Sequence, residues 1–129
     1  MLNVKTVEDK RDVRKRSFRF SLRIIKLIEV LPKNGTCKVI GNQLLRSGTS
    51  IGANVAEAKG SSTRKDFTNF FSYALKSAHE TVYWLDLLDE SGTAKQINLG
   101  SLRAEAKEIL NMLGSSLVTL KGAKLKGKF

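Results

Sequence analysis

The sequence predicts an all-α fold, an antiparallel up-down-up-down four-helix bundle. Three observations carry that prediction. Apolar residues recur at steps of three and four along four long segments, which places them on one side of a helix turning 100° per residue. The breaks between segments are short and carry Pro32 and Gly35, Gly60-Ser61-Ser62-Thr63, and Ser91-Gly92-Thr93. Pro32 is the one proline in 129 residues, and the ten glycines fall mostly at breaks or near the C-terminus, so the segments run too long for a chain of short strands. Long helices joined by short loops pack as antiparallel neighbours. With 41% hydrophobic residues, the chain has enough apolar matter for one core. The expected organisation is one domain over residues 1–122, with helices at about 7–31, 36–58, 63–90 and 97–121. A basic, flexible tail is expected over 123–129.

In the first helix Val13, Phe20, Ile24, Leu27, Ile28 and Leu31 share a side, with Ser17 in the gap. Arg11, Lys15, Arg19, Arg23 and Lys26 fall opposite. Phe18, Leu22 and Ile25 make a further strip beside the basic one. A lone bundle needs one apolar stripe per helix, so the extra strip predicts contact with another subunit. Pro32 and Gly35 end this helix.

The second helix is expected to begin at a Thr36 cap. Its inner seam reads Cys37, Ile40, Leu44, Ser47, Ile51, Val55 and Ala58. Glycine inside a helix costs about 1 kcal/mol against alanine, so Gly48 and Gly52 predict the close approach of a neighbouring helix. Arg46, Ser50, Asn54 and Glu57 fall on one polar strip, expected to form a buried network between helices or subunits in which Glu57 and Glu80 take a partner such as Arg46.

In the third helix Ser62 or Thr63 serves as the cap, and Asp66 sits in the first turn, where the helix dipole favours an acid. Phe67, Phe71, Ala74, Ala78, Thr81, Leu85 and Leu88 form a heptad-like seam. Phe70, Tyr73, Ser77, Trp84 and Leu87 make a second strip, and Phe70, Tyr73 and Trp84 join Phe18, Leu22 and Ile25 as expected oligomer contacts. The fourth helix starts between Lys95 and Asn98, carries Leu102, Ala106, Ile109, Leu113, Leu117 and Leu120 on its stripe, and is expected to end at Gly122.

The formal net charge is +11, from 23 Lys and Arg against 12 Asp and Glu. Such an excess points to polyanions. The charge is uneven: nothing acidic follows Glu108. The candidate nucleic-acid-binding residues are Arg11, Arg14, Lys15, Arg16, Arg19, Arg23 and Lys26 on the first helix, joined by Lys121, Lys124, Lys126 and Lys128 near the C-terminus. Arginine forks hold phosphate oxygens in two-pronged contacts that give affinity with little sequence preference. RNA and DNA both satisfy this reading.

Other chemistries find little support. His79 is the only histidine, which leaves it no histidine partner for metal or triad work, and Cys37 is the only cysteine, which leaves no internal disulfide or cysteine-built metal site. No glycine loop shaped for phosphate appears. The expectation is a protein that is not an enzyme and holds no cofactor or metal. A lone cysteine fits the reducing cytosol, Met1 to Asp12 lacks the apolar run of a signal peptide, and no apolar run nears the ~20 residues that span a bilayer. A cytoplasmic protein without membrane contact is expected.

One stretch has a resemblance. Gln43-Leu44-Leu45-Arg46-Ser47-Gly48-Thr49-Ser50-Ile51-Gly52-Ala53-Asn54, then Glu57-Ala58, Asp66-Phe67, and Glu80-Thr81 with Tyr83-Trp84-Leu85 are similar to the bacterial four-helix-bundle proteins encoded in intervening sequences of 23S ribosomal RNA genes. That family includes Avd, the accessory protein of diversity-generating retroelements. The resemblance implies a closed homo-oligomeric ring, a homopentamer favoured. It also implies a basic surface that binds nucleic acid or a nucleic-acid enzyme such as a reverse transcriptase. It brings no catalytic residues.

Overall fold

The computed structural model describes residues 12–126, with side chains for residues 12–122. Four α-helices follow in order: α1 (Val13–Val30), α2 (Gly35–Gly60), α3 (Arg64–Glu90) and α4 (Gly100–Lys126). Each helix packs on its neighbours in sequence, and α4 returns to α1, while the diagonal pairs do not meet. This is the all-α four-helix bundle expected, and the described residues contain no strand.

Each helix starts where a side chain can satisfy backbone N–H groups left over at its first turn. Asp12 Oδ1 accepts from Arg14 N at 3.0 Å and Lys15 N at 3.2 Å. Asn34 Oδ1 accepts from Cys37 N at 2.8 Å. Thr63 Oγ1 accepts from Asp66 N at 3.1 Å. Asn98 Oδ1 accepts from Gly100 N at 2.9 Å. The chain leaves α1 through extended Leu31 before Pro32, and it leaves α3 through Gly92, whose φ of 74° is a left-handed conformation that glycine adopts freely.

These caps move several expected boundaries. Asp12 sets the start of α1 at Val13 instead of about residue 7. Asn34, not Thr36, caps α2, which begins at Gly35 and runs on to Gly60. Thr63 is the residue that caps α3. The fourth helix starts at Gly100 instead of about 97, because Ala94 and Leu99 are buried and pin the preceding link into the core. It also runs through Gly122 to Lys126, so the first part of the expected flexible tail is helical backbone. The side chains of Arg11, Lys124, Lys126 and Lys128 lie outside the described residues.

The core is the set of seams read from the sequence. Phe20, Ile24, Leu44, Ile51, Leu85, Leu88, Ile109 and Leu113 are fully buried. Val13, Ile28, Phe67 and Leu120 sit at its margin, half-buried. Cys37 is buried in it, with its Sγ facing Thr93 O at 3.8 Å. Gly48 and Gly52 of α2 sit where α1 approaches closely. A Cβ on Gly48 would lie 2.8 Å from Ile24 Cγ1, and one on Gly52 would lie 3.3 Å from Ser17 O.

A short ladder of hydroxyls joins α2 to α3. Thr81 Oγ1 lies 3.0 Å from Ser47 Oγ and 2.8 Å from Ser77 O. Ser77 Oγ lies 3.1 Å from Ser50 Oγ. Asn54 Nδ2 donates to Ser50 O at 2.9 Å and is 3.1 Å from Ser50 Oγ. Polar groups placed at a helix contact must find partners, and these find each other only at one mutual register of the two helices.

Candidate nucleic-acid interface

The antiparallel order of the bundle gathers four element ends at one pole: the start of α1, the end of α2, the start of α3 and the end of α4. Arg14 and Lys15 of α1, Lys59 of α2, Arg64 and Lys65 of α3, and Lys121 of α4 are all exposed there. Asp12, Glu57 and Asp66 oppose them only partly, and Asp12 already serves as a helix cap. The opposite pole carries Asp86, Asp89 and Glu90 of α3 among its bases. Positive charge is therefore polarised along the bundle axis, toward the pole from which α1 departs. Lys59, Arg64 and Lys65 were not among the sequence candidates. The signal that finds them is topology: in an up-down-up-down bundle the α2–α3 loop and the start of α1 share a pole.

Along α1, Lys15, Arg19, Arg23 and Lys26 are exposed on the flank toward α4. Arg23 Nη2 reaches Ser101 Oγ at 2.9 Å. Arg16 departs from the expectation. Its Nη2 lies 2.6 Å from Glu105 Oε1 and 3.0 Å from Glu108 Oε2, and its side chain is only 12% exposed. Arg16 therefore joins α1 to α4 and is not open to a phosphate. Hydrogen bonding to Glu105, then to Glu108, holds its pKa above the ordinary arginine value, against an opposing effect of burial. Arg103 plays the matching part between α4 and α3. It is bonded to Asp86 and Asp89, with Asp86 the main cause of its raised pKa.

The polar strip of α2 divides in two. Ser50 and Asn54 belong to the half-buried hydroxyl ladder. Arg46, Glu57 and Glu80 are exposed, and their side chains make no ion pair or hydrogen bond among the described residues of the single chain, so the network expected between helices does not include them. Their long side chains point out from the α2–α3 face, away from the small hydroxyls that line the helix contact.

The two extra apolar strips lie on the surface of the single chain. Phe18, Leu22 and Ile25 are 64%, 48% and 42% exposed, and Tyr73 is 52% exposed. Phe70 and Trp84 are half-buried against the core. The Trp84 indole N–H is buried with no acceptor among the described residues.

At the basic pole a cleft of about 790 Å³ opens between the helix ends, lined by Asp12, Val13, Arg14, Lys59, Phe67, Phe71, Ser115, Ser116, Thr119 and Leu120. Among the described residues, no three of His, Cys, Asp and Glu gather in a way that would hold a metal ion. Among the same residues no helix is long and apolar enough to cross a membrane.

The 23S rRNA-intervening sequence protein family model matches residues 9–115. The chain belongs to that family. A crystal structure from Bacteroides thetaiotaomicron, described as a protein of unknown function from the S23 ribosomal protein family, is similar over most of both chains. It is 38% identical, with a TM-score of 0.74, covering 84% of this chain and 97% of that one. No match was found among curated proteins. The match to the 23S rRNA-intervening sequence proteins covers all of α1, α2 and α3 and more than half of α4.

Proposed function

We propose that the protein is a non-enzymatic, homo-oligomeric four-helix bundle that binds the backbone of RNA or DNA. The observation that carries this is the collection of cations from all four helices at one pole, continued along the outer flank of α1. The binding is electrostatic. Lysine and arginine neutralise phosphates and release counterions, and no bond is made or broken.

Self-assembly is the second part of the reading. The α1 strip of Phe18, Leu22 and Ile25 and the α2–α3 face around Tyr73 and Trp84 are unlike surfaces. Contact between two unlike surfaces repeats head to tail and closes into a ring when the rotation permits, and a homopentamer is the ring favoured. A second copy supplying an acceptor for the Trp84 indole N–H would relieve a buried unpaired donor, which otherwise costs about 1–3 kcal/mol. Basic poles brought together in a ring add their affinities.

The unpaired Arg46, Glu57 and Glu80 on the α2–α3 face favour one alternative, an accessory subunit whose main partner is a protein such as a reverse transcriptase. Anisotropy titrations with RNA and DNA over a salt series test the first reading. Affinity that falls steeply with salt supports it, and no binding at low salt overturns it. Light scattering tests assembly, and a monomer at micromolar concentration refutes it.

A further inference from the structure

We propose that the cleft at the basic pole seats one unpaired nucleotide of a bound strand. This rests on the nucleic-acid reading above and assigns it a specific site. The volume, about 790 Å³, falls in the range of about 300–1,000 Å³ found for small-ligand sites.

The lining carries the three kinds of group that a nucleotide meets. Arg14 and Lys59 are exposed cations without an ion pair among the described residues. Phe67 is a half-buried aromatic ring, stacked on Phe71 with centroids 4.7 Å apart and planes 22° apart. Ser115, Ser116 and Thr119 bring hydroxyls from α4, none of them hydrogen-bonded within the described chain. Asp12 is also on the rim, but its Oδ1 accepts from Arg14 N and Lys15 N, so that oxygen is engaged by the start of α1.

The Lys59 ammonium lies over the Phe67 ring, 5.4 Å from its centroid. A base moving onto that ring takes the place of the ammonium and leaves it beside the phosphate. The cations select an anion, and the aromatic ring selects a flat partner. A base inside a duplex has both faces covered by its neighbours, and a paired terminal base is held by its partner, so an unpaired base is the one that can enter the cleft and stack on its ring. The cleft is therefore specific for an overhang, a bulge or a single-stranded stretch.

The test uses the full chain and two labelled RNA hairpins, each closed by a non-nucleotide linker in place of a loop, one blunt and one with a short single-stranded 3′ tail, with DNA counterparts. Stacking of one base predicts about tenfold tighter binding of the tailed hairpin at the same salt. Lys59→Gln and Phe67→Leu are expected to bring the tailed hairpin down to the blunt one. Phe67 packs on the core margin, so Thr119→Leu, which fills an exposed position of the cleft lining without adding a flat ring, provides a second variant that keeps the bundle, with thermal melting as the check. Equal binding of both hairpins overturns this site and leaves the broader reading standing. A preference that survives both Lys59→Gln and Thr119→Leu overturns its placement in the cleft. Failure of both hairpins to bind at low salt overturns the two readings together.

Discussion

Arg16 Nη2 lies 2.6 Å from Glu105 Oε1, and this contact ties the first helix to the last across the least extensive seam of the bundle. The remaining helix contacts are built mostly from apolar side chains and small hydroxyls. Closure of the bundle at this seam therefore leans on a charged pair that is only partly shielded from water.

Arg16→Gln is expected to destabilise the fold by about 1–3 kcal/mol, because two carboxylates lose a charged donor at a part-buried site. Urea unfolding measures it. The double variant Arg16→Gln with Glu105→Gln should lose less than the sum of the single losses. Nucleic-acid affinity of the folded Arg16 variant should hold within about twofold, since a group engaged this way contributes no phosphate contact and no salt slope.

Two glycine substitutions should act in opposite directions. Gly48→Ala places a methyl group 2.8 Å from Ile24 Cγ1, on a β-branched side chain that is fully buried and cannot rotate away. Overpacking of this kind costs about 1–3 kcal/mol and outweighs the helix-propensity gain of about 1 kcal/mol. A Cβ at Gly114 meets nothing within 4 Å, so Gly114→Ala should stabilise by up to about 1 kcal/mol. Thermal melting of the two variants side by side decides the matter.

Replacing Arg14, Lys59, Arg64 and Lys121 by glutamine should weaken binding of all nucleic acids alike. For duplex DNA each lost phosphate contact lowers the slope of log affinity against log salt by about 0.9. A set of three at the opposite pole, Lys33, Lys38 and Lys95 to glutamine, should change the slope far less per charge removed. The same salt titration on both sets distinguishes a localised surface from a diffuse effect of net charge.

Phe18→Ser with Ile25→Ser should shift the assembly toward monomer in light scattering and leave helix content by circular dichroism unchanged, because both side chains are exposed in the single chain. A parallel loss of helix would mean that the strip belongs to the fold of one chain and not to its self-association.

The seams were legible because a helix repeats its faces at fixed angles. Phe20, Ile24, Leu44, Ile51, Leu85, Leu88, Ile109 and Leu113 were all read from spacing alone, and all are buried. The close approach at Gly48 and Gly52 is legible for the same reason, since a missing side chain inside a helix demands a close neighbour. Spacing says nothing about what lies across a seam. Arg16 sits in sequence among cations and reads as one more of them, and only the third dimension brings Glu105 and Glu108 to it. The basic pole was half legible: Arg14, Lys15 and Lys121 were candidates, whereas Lys59, Arg64 and Lys65 lie around a loop whose position depends on the packing. Helix ends were misjudged by a few residues where a cap such as Asn34 outcompeted the better-known signal at Thr36.

Asp12 and Val13 face Ser116 and Leu120 across the cleft, so the start of α1 and the later turns of α4 share a pole. A linker joining them, with new termini opened at Gly92 in the far turn, would give a circular permutant with the same four-rod packing. In such a rearranged chain a fused reporter would stand at the far pole, where acids and bases offset each other, and leave the cationic one unobstructed.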